Sequence, residues 1–120
     1  MLAGIKDYTI EKGAVFDEQF IWKNADGSIK NLLGYTAEAE ARKQKSDNAA
    51  ILAFTVTLGG ANGTVRLQAT SSQTRALDFS KAFWDVKVSP SGGDVNTTTD
   101  VIRPMEGRLT FSREATKDAV

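Results

Sequence analysis

The chain contains no cysteine and no histidine. Without cysteine there are no disulfides, no thiolate zinc sites and no cysteine nucleophile. Without histidine the usual general base near neutral pH is missing, and the Ser-His-Asp constellation with it. An enzyme built on this chain would have to work with carboxylates, lysines or tyrosines. Net charge is lacking too, since 15 basic and 15 acidic residues cancel. A dedicated nucleic-acid binder needs a basic surplus to displace counterions, so that class is disfavoured. Residues 49–56 are an uncharged, mostly apolar run, far short of a membrane span. The first four residues are not a basic n-region followed by a long apolar stretch, so no signal peptide is expected. The expectation is a protein made in the cytosol that leaves it only as part of an assembly.

What is present fits one domain over residues 1–120, large enough to bury a core without staples. Residues 82–88, Ala-Phe-Trp-Asp-Val-Lys-Val, organise the rest. As a strand they put Ala82, Trp84, Val86 and Val88 on one side and Phe83, Asp85 and Lys87 on the other. One heavy apolar face and one mixed face is the pattern of a half-buried antiparallel sheet.

Other segments read as strands that could cover Trp84. Residues 5–11 alternate, with Tyr8 and Ile10 inward. Residues 15–23 carry Phe16, Phe20 and Trp22 and read as a second strand, apolar enough to be central. Asn24-Ala25-Asp26-Gly27 is a turn. Residues 28–33 are a short return expected to pack Ile29, Leu32 and Leu33 under the sheet. Residues 35–45 are helical by propensity, yet Tyr35, Ala37, Ala39 and Ala41 alternate strictly with polar neighbours. The alternation predicts a strand whose alanines lie against a large ring such as Trp22. Ser46-Asp47-Asn48 is a polar loop. Residues 50–58 and 64–70 form a long hairpin around the turn cluster 59–63. Residues 71–77 predict one helical turn capped by Ser71 or Ser72. Residues 89–99 form the longest polar loop and the freest tip. Residues 100–105 and 106–113 form the last strand or a broken pair, where Pro104 and Gly107 imply an edge or a bulge. The ends, 1–4 and 114–120, are expected to be flexible or ordered by partners.

About seven strands with turn signals near every tenth residue predict an all-β, Ig-like antiparallel β-sandwich with one short helical turn near 71–77. The cysteine pair of antibody domains is missing, so only the architecture is Ig-like.

Candidate sites are few. Glu38 and Glu40 on one strand face would stand about 6.6 Å apart, near an inverting glycosidase pair. Nothing aromatic flanks them, and a solvated strand face explains them better. Asp94, Asn96, Thr98 and Asp100 alternate like the start of a calcium loop, but the glycine and distal glutamate are not at their offsets. Gly59-Gly60-Ala61-Asn62-Gly63 is followed by strand alternation and not by the lysine and helix of a phosphate loop. Phe16, Phe20, Trp22, Phe83 and Trp84 could stack bases, but their period of two reads as core. Phe83 differs, because it lies on the face opposite Trp84 and so is either exposed, as a contact for a partner, or covered by something else.

Six blocks carry a family resemblance. The pattern G-x-x-F-x-x-x-F-x-W-K-[ND]-x-D-G (Gly13, Phe16, Phe20, Trp22, Lys23, Asp26, Gly27) is followed by L-x-G-Y-T-A from Leu32 to Ala37. Then come L-G-G-A-N-G-T-V-x-L (residues 58–67), T-x-A-L-D-F (74–79), W-D-V (84–86) and E-G-R-L-T-F-S-R-E-A-T (106–116). Together they resemble small structural proteins of tailed bacteriophages and prophages, and versions from phages of cyanobacteria most of all. The resemblance covers nearly the whole chain. It implies an Ig-like fold and a non-enzymatic virion protein, located in the virion and assembling with other virion proteins in multiple copies. The tail, baseplate or fibre-attachment region is the expected place. A capsid decoration or vertex protein, or a carbohydrate-binding module for the host surface, is the alternative. No catalytic, cofactor-binding or metal residue and no cofactor is expected, nor a nucleic-acid or membrane partner. Phe83, Tyr8, Asp94 and Asn96 are the candidate partner contacts.

Overall fold

The structure, a computed structural model, describes residues 4–44, 49–77 and 80–112. The expectations for residues 1–3, the loop 46–48 and the tail 114–120 lie outside the described residues. In chain order the elements are β1 (Gly4–Ile5), β2 (Tyr8–Glu11), β3 (Phe16–Ile21), β4 (Thr36–Arg42) and β5 (Leu52–Leu58). A 3₁₀ turn (Gly60–Asn62), β6 (Thr64–Ala69), α1 (Ser71–Arg75), β7 (Lys81–Ser89) and β8 (Ile102–Ser112) follow.

The fold is all-β, as the alternation predicts. The strands run along one hydrogen-bonded path, β1-β8-β7-β4-β5-β6-β3, and β2 continues β1 along β8. The path is continuous because β5 is shared. Leu52 and Phe54 pair with Ala41 and Ala39 of β4, whereas Thr55 to Leu58 pair with β6. The sheet curls enough for its ends to meet: the Tyr8 ring on β2 lies 5.5 Å from the Phe16 ring on β3. The pairing is also mixed. β1 and β2 run parallel to β8, against the expectation of antiparallel strands throughout. No hairpin joins these segments, so no tight turn dictates their direction.

β7 holds the centre between β4 and β8. Its Ala82, Trp84, Val86 and Val88 are all buried, with Trp84 only 3% exposed. Residues 36–42 are a strand, and Ala39 and Ala41 are buried. The ring beside them is Trp84, not Trp22. Ala41 and Gly107 stand opposite Trp84 on its two flanking strands, so the bulkiest core side chain has the two smallest ladder neighbours. Trp22 is half-buried at another place, with the Lys30 ammonium 5.1 Å from its ring centroid.

The expected first strand breaks at Lys6 and Asp7. Lys6 N–H donates to the Glu106 carbonyl at 2.8 Å, and its own carbonyl accepts the Trp84 indole N–H at 2.9 Å. Asp7 Oδ1 accepts the Arg108 backbone N–H at 2.9 Å. A buried indole needs an acceptor, and a backbone carbonyl turned out of its ladder supplies one.

Three further expectations are corrected. β3 ends the path, and Ile21 on it is exposed, so this strand is not central. Of the return 28–33 only Leu32 packs inward; Ile29 and Leu33 are 51% and 67% exposed. The helical turn is capped by Thr70, which accepts from Gln73 N–H while the Gln73 side chain accepts from Thr70 N–H. The last strand is a single β8 with partners on both sides, and of the two expectations for it, an edge or a bulge, the bulge at Pro104 is borne out. Val86 faces Met105 and Val88 faces Ile102, which sets Arg103 and Pro104 against Lys87 alone.

Candidate partner interface

The outward side chains of β4, β7 and β8 fall into rows because the ladders are in register. Glu38 faces Lys87; Glu40, Asp85 and Glu106 form a second row; Arg42, Phe83 and Arg108 form a third. Adjacent rows are about 6.6 Å apart along the strands. Three carboxylates side by side would repel one another, and like charges opposite in a ladder are destabilising. Cations from neighbouring positions offset this. Arg42 Nη2 lies 3.2 Å from Glu40 Oε1, while Arg103 reaches Asp85 at 3.6 Å and Glu106 at 3.3 Å. In the third row the Arg108 guanidinium stands 5.9 Å from the Phe83 ring centroid, within cation–π range.

The face therefore has two ends. Beyond Phe83, Asp7, Lys43, Lys81 and Arg108 border a hollow of about 330 Å³, in which among the described residues cations outnumber the one carboxylate. At the opposite end Asn96 Nδ2 donates to Glu38 Oε2 at 3.1 Å, which brings the 89–101 loop to the acidic side.

That loop is stitched down rather than a free tip. Asp100 accepts from the Ser89 hydroxyl and the Ser91 N–H, each at 3.0 Å. Hydrogen bonding by Ser91 above all, with Ser89 and Thr98, holds the Asp100 carboxyl below the usual range against a smaller opposing cost of burial. Asp94 Oδ1 accepts the Asn96 N–H at 2.8 Å, and the Asp94 carbonyl accepts the Thr98 hydroxyl at 3.0 Å. Thr36 Oγ1 donates to the Gly93 carbonyl, and Val95 is buried. A loop with this many local donors and acceptors satisfies its own polar groups without a ligand.

The structure thus gathers three of the four candidate contacts on one face: Phe83 half-buried in the third row, Asp94 and Asn96 exposed at the acidic end. Tyr8 is corrected. Its ring is buried, 5.5 Å from Phe16 and 5.4 Å from Trp84. Alternation had already marked its parity as inward, and no outward contact is open to it. Among the described residues its hydroxyl has no hydrogen-bond partner, and burial, with the nearby Glu18 charge, raises its pKa. A buried hydroxyl without a partner costs stability. Tyr8→Phe should therefore stabilise the protein by about 1 kcal/mol in urea denaturation; a loss of that size would mean that the hydroxyl has a partner.

Nothing in the sequence marks Glu40, Asp85, Glu106, Arg42, Arg103 and Arg108 as one surface. Their outward parity was legible strand by strand, but the register that aligns positions 40, 85 and 106 was not. Glu38 and Glu40, considered as a glycosidase pair, instead bind Asn96 and Arg42. No protein-family model matches the chain, and no curated protein does.

Proposed function

We propose that the chain is a non-enzymatic structural protein of a tailed bacteriophage particle. It sits in the tail, baseplate or fibre-attachment region and meets neighbouring virion proteins through the β4–β7–β8 face. The sequence blocks that resemble phage structural proteins support the first part. The second part rests on one observation, the acidic row Glu40–Asp85–Glu106 lying in register beside Arg42–Phe83–Arg108. A rigid sheet that fixes charges in alternating bands is suited to recognising a complementary surface, with electrostatics setting register and an aromatic residue supplying contact area. In a particle every contact is repeated by symmetry, so a modest interface gains strength from multivalency.

The test is immunogold labelling of intact, gradient-purified particles with antibodies to the recombinant chain, with band intensity measured against the major capsid protein. Label at the tail end in low copy number is expected. Label across the capsid in hundreds of copies would reassign the protein to decoration. Its absence from particles would overturn the proposal.

A further inference from the structure

We propose that the β4–β7–β8 face pairs with the same face of a second copy of this chain. The inference rests on reading this face as an interface and names its partner.

The acidic row Glu40–Asp85–Glu106 and the cationic row Arg42–Phe83–Arg108 are neighbours on the same three strands. Consider a two-fold axis parallel to the sheet, running along the rows and midway between them. Rotation about it reverses the order along the strands and preserves the order across them. The acidic row of one copy then lies over the cationic row of the other. Glu40 meets Arg42 of the second copy and Glu106 meets Arg108 of the second copy, and symmetry makes each contact twice. Asp85 falls over Phe83 of the second copy, with Arg103 of its own chain still 3.6 Å away to balance the charge. Face-to-face sheets stand about 10 Å apart, a gap that opposed glutamate and arginine side chains span. A two-fold axis along the strands instead puts like rows over like rows and is repelled, so the banding also selects against that arrangement.

The bands are anchored within each chain before they meet. Glu40 is held by Arg42 and Glu106 by Arg103, so less side-chain freedom is lost on pairing than for untethered charges. The surface is small, about 400 Å² per copy from strand spacing and rise, well under a standard interface. Pairing is therefore weak and salt-sensitive in isolation, and gains strength where an assembly holds copies close together.

Sedimentation velocity on the full chain tests this with two variants. Arg42→Glu/Arg108→Glu makes both rows acidic, and Glu40→Arg/Glu106→Arg makes both basic. Each alone should be monomeric, and their equimolar mixture should form a one-to-one dimer, because every opposed pair is again of opposite sign. Wild-type protein should self-associate in low salt, with its dissociation constant raised about tenfold or more between about 50 mM and 0.5 M salt. This second measurement needs no variant, so it stands even if a variant fails to fold. Wild-type protein that stays monomeric at about 0.5 mM chain in low salt would overturn the proposal. So would two cooperatively melting variants that ignore each other when mixed. Particle labelling is a separate measurement, so loss of homotypic pairing would leave the assignment to the virion standing.

Discussion

Gly107→Ala should destabilise the protein by about 3 kcal/mol or more and disturb the environment of Trp84. The cause is steric rather than conformational, since Gly107 is not among the glycines with positive φ. A Cβ at this position would run into the Lys6 carbonyl, with Asp7 Oδ1 also within 3.0 Å. That carbonyl cannot move away without cost. Its oxygen accepts the Trp84 indole N–H at 2.9 Å, and Lys6 N–H is tied to Glu106 at 2.8 Å. Overpacking costs about 1–3 kcal/mol, and a buried indole N–H left without its acceptor about 1–3 more. Gly34→Ala is the comparison. Gly34 has φ of 80° with open space around it, so alanine there meets only the left-handed backbone penalty of about 1–2 kcal/mol. Ranking by φ alone predicts the opposite order. Urea denaturation followed by tryptophan fluorescence and far-UV circular dichroism measures both, and a Gly107→Ala loss under about 1 kcal/mol would refute the account.

Much of the fold was legible because alternation is local. The parity of β7 placed Trp84 inside and Phe83 outside, and the alanines of β4 favoured a strand over a helix. What stayed hidden depends on pairing. That Ala41 and Gly107 flank Trp84 follows from ladders joining positions far apart in the chain. Likewise β5 alternates like any strand, and nothing in its residues marks the point where it passes from β4 to β6. Ile29 and Leu33 misled for a different reason: apolar side chains near a loop are not bound to be inside, and single exposed ones are common. The candidate interface divides the same way. Phe83 was visible from its parity, and Asn96 from its place in a polar loop. The charge rows were invisible because a row is a property of three strands at once.

Thr74→Val should cost about 2–3 kcal/mol although it preserves the shape of a fully buried side chain. The Thr74 hydroxyl accepts the Gly13 N–H at 3.0 Å and lies 2.8 Å from the Ala14 carbonyl and 3.1 Å from the Ser71 carbonyl, to which its single proton can be donated. Gly13 and Ala14 belong to the turn joining β2, which continues β1 along β8, to β3 at the other end of the curled path. Thr74 belongs to α1, which follows β6, the ladder partner of β3. One hydroxyl thus holds the turn that closes the curl against the segment leaving its far edge. Valine keeps the volume and leaves the Gly13 donor and the carbonyls without this partner. Serine keeps the hydroxyl and gives up only a methyl group, at about 1 kcal/mol. Valine should therefore be worse than serine, against the order set by shape, and amide exchange at Gly13 should quicken in the valine variant alone. If valine matched serine in stability and left that amide protected, the closure would have to depend on the Tyr8, Phe16 and Trp84 rings rather than on this hydrogen-bonded turn.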